Sequence, residues 1–551
     1  MKAAKETVEV NLPELEALLE RKREALGEED YQKLKKGLWA LSYLTDLIGD
    51  KDTTISQLRA LLMKPSTEKT RKVLEQAGLP TSSSSSHPPP SAGASESQKK
   101  KPGHGRNGAE AYRGAERIKI AHPSLKPGDG CPECEKGKVY RQKDPAVRIR
   151  VVGQVPLQAT VYQLERLRCN LCGVVFEAKA PEGVGEKKYD ESAAAMIGLL
   201  KYGSGFPWYR LEGLEASLGT PLPASTQWEV VEEAAEVIRP AFDELIRQAA
   251  QGEVFYNDDT SMKILALARA SPRRVEGEEE ASSARERTGL FTSGIVSRTR
   301  QGQRIVMFFT GRKHAGENFA RVLAERAQGL SPPIQMCDAL SRNLPKLPEK
   351  LEIIVGHCNA HARRRFVQVT PNFPQECRFV LETLREVYRY DAEAEELGLS
   401  PEGRLRFHQE HSRPVMDALH AWLSAQFEEK RVEPNSGLGE AITYCLKHWE
   451  RLTLFLRQAG APLDSNIVER ALKKAILHRK NSLFYKTEKG AEVGDLFMSL
   501  IHTCELNDTN PFDYLTELQK HAAELAENPA AWMPWNYRQT FQQAGTSKDP
   551  A

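Results

Sequence analysis

The chain has no run of eighteen or more apolar residues, so no segment of it would cross a bilayer as a helix. Its first ten residues, MKAAKETVEV, lack the apolar core of a secretory signal. These two absences lead to the expectation of a cytoplasmic protein with no membrane partner. An excess of charge of one sign is also missing: 77 Lys and Arg stand against 75 Asp and Glu, a net charge of +2. Any affinity for nucleic acid therefore has to come from local basic patches and not from the field of the whole molecule. Cysteine is sparse as well. Nine in 551 residues do not make a disulfide scaffold, and four of them fall in two CxxC pairs. In a reducing compartment such pairs favour a metal over a disulfide.

What is present is a soluble composition, 40% apolar and 28% charged, on a chain too long for one ordinary core. Residues 1–80 are Leu-rich and helical in pattern. Leu34, Leu41, Ile48, Ile55 and Leu62 fall seven apart, with Leu38, Leu44 and Leu58 beside them, a coiled-coil-like seam that Gly49, Lys51 and Asp52 weaken. It reads equally as a helical hairpin burying its own stripe or as a dimerisation helix. Ser, Pro and Gly prevent a core over 81–115, which reads as a disordered linker with a basic end.

Residues 116–180 contain Cys131, Cys134, Cys169 and Cys172, with 34 residues between the pairs. Two CxxC knuckles complete a tetrahedral four-thiolate site, and the alternating stretches between them suit the strands of a zinc ribbon, so the expected ligand is a structural Zn²⁺. A pair of redox motifs is the competing reading, and it lacks a thioredoxin-like context. Residues 187–250 are helical, with a break at Gly219-Thr220-Pro221 and a second helix whose expected N-cap is Ser225 or Thr226. The arrangement resembles a helix-turn-helix, but Glu229, Glu232, Glu233 and Glu236 suit packing better than a DNA groove.

From 251 the pattern turns to strands: EVFYND, SMKILALA, GLFTSGIVS and RIVMFFTG, then a helix over about 314–327, a strand ending at Asp338, the strand LEIIVGHC and the basic helix NAHARRRFVQV. A helical insertion over about 375–458 follows. Next comes LDSNIVERALKKAILHRKNSLF at 463–484, whose polar face sets one acid, Glu469, among Asn466, Arg470, Lys473 and Lys474. The order suits an RNase H-like α/β domain over 251–500, followed by a C-terminal segment at 501–551; the fold class expected is multidomain α+β. Asp258, Asp338 and Glu469, 80 and 131 residues apart, are candidates for a site that holds two Mg²⁺ or Mn²⁺ ions for phosphoryl transfer, which needs carboxylates from several directions.

The segments around these acids carry a resemblance. NDDTSMKIL, GHCNAHARRRF, LDSNIVERALKKAILHRKNSLF and CELNDTNPFDYLTEL, together with CPEC and CNLCG, resemble the motifs of the bacterial insertion-sequence-sixty-six family of DDE-type transposases. The likeness runs over nearly the whole chain. It departs at Asp259, where the family usually has Glu; at CDALSRNL, which lacks the Gly-Tyr that tends to follow the second acid; at Asn359 in place of Trp; and at Ser465 in place of Asn. The resemblance implies an RNase H-like catalytic domain, Asp258, Asp338 and Glu469 as metal ligands, and DNA as partner. It also implies accessory proteins of the same element, and a homo-oligomer is expected because the Leu34 to Leu62 seam is otherwise left exposed and both element ends have to be held together. On that footing Arg470, Lys473, Arg479 and Lys480 would hold DNA phosphates, Asn466 would orient substrate, and Arg363, Arg364 and Arg365 would be further phosphate contacts. Cys358 and His361, with no second ligand pair in the sequence, read as structural residues near the acids. A non-catalytic DNA-binding repressor derived from a transposase is the rival reading.

Overall fold

The computed structural model describes residues 187–270, 289–349 and 351–540 continuously, together with parts of 19–35, 69–77, 110 and 117–184. Of the leucine seam only Leu34 falls among these. Leu38, Leu41, Leu44, Ile48, Ile55, Leu58 and Leu62, the linker 81–115 apart from residue 110, and Cys169 lie outside the described residues. Ser83–Tyr162 forms one compact unit; Met1–Ser82 and Gln163–Ala551 form the other.

Within Ser83–Tyr162 the backbone turns tightly around the first CxxC. The Cys131 N–H donates to the Gly137 carbonyl at 2.8 Å, and Gly130 pairs with Lys138 in an antiparallel bridge. The N–H groups of Lys136 and Gly137, with the Cys131 side chain, hold the Cys134 thiol below its usual pKa.

In the larger unit, described helical residues within 19–35 precede helix α1 (Thr70–Gln76). Strands β1 (Arg166–Arg168) and β2 (Val175–Glu177) pair antiparallel on either side of the second CxxC. Helices α2 (Glu191–Gly198), α3 (Trp208–Ser217) and α4 (Ala224–Ala250) follow. In α4, Val231, Ala234, Ile238, Ala241 and Leu245 recur three to four apart and are buried, the stripe of an amphipathic helix. Its acids face outward, where Glu232 and Glu233 pair with Lys489 at 2.6 Å and Lys187 at 2.8 Å. The expected cap at Ser225 or Thr226 is not used: Pro223 leads straight into Ala224, with a fixed φ of −56° and no N–H to satisfy.

A five-stranded mixed sheet forms the core. In chain order its strands are β3 (Val254–Ser261), β4 (Phe291–Arg298), β5 (Arg304–Gly311), β6 (Ile334–Cys337) and β7 (Ile354–His357); across the sheet they run β5-β4-β3-β6-β7. The first three are an antiparallel meander, while β6 lies parallel to β3 and β7 parallel to β6. Phe255, Ile295, Val296, Ile305, Val306 and Phe308 are buried in it. The stretch SMKILALA is a correction to the strand expectation. Ser261 ends β3 and Leu265–Ala270 is helical, as the helix-forming Leu and Ala residues there prefer.

Around the sheet lie α5 (Ala315–Leu323), the basic helix α6 (Asn359–Val369), the insertion helices α7 (Pro374–Glu396), α8 (Pro401–Glu428) and α9 (Gly437–Lys447), then α10 (Asn466–Ser482) and α11 (Glu488–Leu506). Helix α11 seals the open edge of β5 with side chains. Asp495, Ser499 and Thr503 accept from the N–H groups of Thr310, Phe308 and Val306 at 2.6, 2.9 and 3.0 Å, and Asn507 accepts from Arg304 N at 3.2 Å. Four residues of helix rise about 6 Å and two of strand about 6.8 Å, so one polar residue per helical turn keeps step with every second strand N–H. An edge that would otherwise template aggregation is closed. No helix among the described residues is long and apolar enough to cross a membrane.

Candidate active site

Asp258 lies near the end of β3, opposite Gly294 of β4. Cross-strand partners share a face, and a side chain at Gly294 would come within 2.9 Å of Leu472 and 3.4 Å of Val468. Helix α10 therefore crosses the face to which Asp258 points, drawn close by the missing side chain, and Glu469 follows Val468 in that helix.

Asp338 comes to the same end through the parallel pair. Tyr256 is level with Met336, so two residues further on Asp258 is level with Asp338. One side chain binds both: Asn343 Nδ2 donates to Asp338 Oδ1 at 2.5 Å and to Asp258 Oδ1 at 3.2 Å. Asn343 is itself buried and anchored, since its carbonyl accepts from Asn257 at 2.7 Å and Gln335 at 2.8 Å. Burial raises the pKa of Asp258, and the neighbouring Asp338 adds to the rise; the Asp259 N–H, His361 and Asn343 oppose it.

Glu469 is held from helix α6. Arg364 Nη2 donates to Glu469 Oε2 at 3.1 Å, and His361 Nε2 stands 3.5 Å from Oε1, which is buried without a hydrogen-bond partner. Burial alone would lower the pKa of His361, but the neighbouring Cys358 sulfur and the charge of Glu469 outweigh that and push it up to about 9. Cys358 Sγ also accepts from Ser465 N at 3.2 Å, tying the start of α6 to the start of α10. The CxxH pair thus positions two helices.

Among the described residues no group of three or more His, Cys, Asp or Glu stands in a metal-holding cluster. The three acids divide: Asp258 and Asp338 share Asn343, and Glu469 sits on His361 and Arg364. The donor set still suits a hard divalent cation. It consists of carboxylate oxygens, one of them buried and unpartnered, each facing a donor or cationic group that stands where positive charge is wanted.

The expected phosphate contacts separate in the same way. Arg470, Lys473 and Lys480 are exposed along α10, and Arg365 is exposed on α6. Arg479 donates to Thr260 Oγ1 at 3.1 Å and Ser261 Oγ at 2.6 Å, bracing the end of β3. Arg363 donates to Thr70 of α1 at 3.0 Å, and the Asn466 amide donates to Asp464 Oδ2 at 2.6 Å instead of standing open to substrate. Asp259 turns to the opposite face from Asp258, where Ser293 and His314 bind it at 2.7 and 2.9 Å. That split was legible, because adjacent strand residues point to opposite faces. Asn343 was not, since a lone Asn in a loop carries no periodic signal.

Comparison with known proteins agrees with the motifs. Residues 187–493 match the transposase IS66 family, and the chain belongs to that family. It is similar to two uncharacterised proteins of Sinorhizobium fredii (strain NBRC 101917 / NGR234). Identity to y4hP is 26% over 394 residues, covering 68% of this chain and 67% of that one. Identity to y4jD is 27% over 387 residues, covering 68% and 71%. No solved structure matches.

Proposed function

We propose that the chain is a DNA transposase that nicks the ends of its element by hydrolysis and joins the freed 3′-hydroxyl to target DNA. The observation that carries this reading is the Asn343 amide, which keeps Asp258 and Asp338 within reach of one donor at the ends of adjacent parallel strands. Asp258, Asp338 and Glu469 would hold the divalent cations. Bound Mg²⁺ or Mn²⁺ would supply an activated attacking oxygen and charge stabilisation at the leaving one. Arg470, Lys473 and Lys480 present a basic ridge on the helix that carries Glu469, suited to the DNA backbone. The strand order β5-β4-β3-β6-β7, with its antiparallel meander and two parallel strands, supports an RNase H-like domain. For Cys131 and Cys134 we propose a role as ligands of a structural Zn²⁺, supported by the backbone N–H groups that lower the pKa of Cys134.

The division of the acids into two groups favours one rival, a DNA-binding repressor without cleavage. Incubating the full-length chain with duplexes made from the inverted repeats flanking its gene, in Mg²⁺ or Mn²⁺, with and without the other proteins of the element, separates the two. Nicks at the repeat ends support the transposase. Tight binding of the repeats with no nick in any mixture supports the repressor.

A further inference from the structure

Beside Asp338 a cleft of about 440 Å³ opens between the sheet end and the helical insertion. Its outer wall is built from two elements. Tyr444 of α9 lines it together with Ala339, the residue after Asp338, so the insertion stands against the acid-bearing loop. The Arg365 guanidinium of α6 lies over the Tyr444 ring at 4.0 Å, and the His448 ring adjoins the same phenol at 4.8 Å. Arg365 is exposed, and among the described residues no carboxylate pairs its charge. Gln368, one turn further along α6, adds an exposed amide to the lining.

We propose that this cleft takes a single nucleotide displaced from the DNA duplex, its base stacked on the Arg365–Tyr444 pair and its edge read by Gln368. The inference rests on the DNA reading given above. The cleft has the volume of a small-ligand pocket and cannot admit a double helix, so only an unpaired residue of the bound strand enters it. A planar cation already stacked on a phenol offers the surface that bases of any identity use. A side-chain amide both donates to and accepts from a base edge. The exposed cations of α10 face the backbone of the bound strand, and the base turns inward to the stacking surface.

The test uses the full-length chain with two fluorescent 30-base-pair duplexes of one sequence in Ca²⁺, the first fully paired and the second carrying one extrahelical nucleotide. Wild type should bind the bulged duplex at least about fivefold more tightly, the lower bound for one stacked base. Arg365→Ala, at an exposed position, and Tyr444→Ala should bring the ratio to about one, whereas Tyr444→Phe, which keeps the ring, should preserve it. Millimolar thymidine monophosphate should not abolish the preference; if it does, the cleft is a free-nucleotide site and the proposal falls. Equal affinity of wild type for the two duplexes, or a preference that survives Arg365→Ala and Tyr444→Ala, overturns this proposal alone. Failure to bind either duplex overturns the DNA reading beneath it.

Discussion

Carboxylates meet the sheet at its sealed edge and at its strand ends, and the two sets are treated differently. At the sealed edge, Asp495 is buried and both its oxygens are taken by one residue: Thr310 donates its N–H at 2.6 Å and its hydroxyl at 2.7 Å. At the strand ends, Asp258 and Asp338 share one amide donor, and a buried oxygen of Glu469 has none. The first arrangement completes a strand's hydrogen bonding and leaves nothing over. The second brings acids together and leaves acceptor capacity unused. A carboxylate that serves the fold is satisfied within it, while a set that is under-satisfied at a cleft marks where an outside cation belongs.

The sharpest way to break this contrast is to exchange the two kinds of acid in one assay. Asp258→Asn, Asp338→Asn and Glu469→Gln should each abolish nicking of the element ends. Their melting temperatures should match or exceed wild type in the absence of metal for Asp258→Asn and Asp338→Asn, because a repelling neighbour is removed. Asp495→Ala should do the opposite. It leaves the half-buried Thr310 N–H without an acceptor, which costs about 1–3 kcal/mol, and the protein that remains folded should still cut. Thermal melts run beside gel-based nicking assays would decide it.

The loop that delivers Asn343 gives the next largest effect. A methyl at Gly316 in α5 would run into the backbone carbonyls of Arg342 and Leu344, so Gly316→Ala has to displace the segment that bears Asn343. Overpacking of this kind costs about 1–3 kcal/mol. Nicking should fall with it, and divalent-ion affinity measured by calorimetry should fall too.

How much of this was legible in the sequence differs between the two places. Asp258 stood in the quoted segment NDDTSMKIL, whereas Asp338 stood in CDALSRNL, where the resemblance departs, and was singled out by the strand that ends at it; NAHARRRFVQV was placed on its helix with the bounds observed. The edge seal was written as polar residues every fourth position, Asp495, Ser499, Thr503 and Asn507, in an otherwise apolar helix, but which strand they would cap depends on tertiary packing. Arg479 could not be told from Lys480 by sequence, since both are cations on one helix turn and only the fold brings Ser261 to the first.

A subtler test uses pH. Burial pushes Asp495 up to about 7 from its usual 3.8, with the Thr310 bonds opposing. An acid whose pKa is raised by folding contributes stability below its unfolded value, and that contribution is lost as pH rises through 7. Asp495→Asn keeps the shape and removes the charge, so its melting temperature relative to wild type should rise between pH 4 and pH 8. A difference that stays constant over that range would show that Asp495 does not titrate there. The smallest expected effect belongs to the exposed cations. Arg470→Ala and Lys473→Ala should each weaken duplex binding irrespective of sequence and lower the slope of log affinity against log salt by about one.

The most direct measurement is Mn²⁺ binding followed by electron paramagnetic resonance on the full-length protein, with the four acids altered singly. The account predicts that Asp258→Asn, Asp338→Asn and Glu469→Gln each weaken the site seen in wild type, and that Asp495→Asn leaves it unchanged. If Asp338→Asn or Glu469→Gln binds Mn²⁺ as wild type does, the three acids do not form one site and the account is wrong.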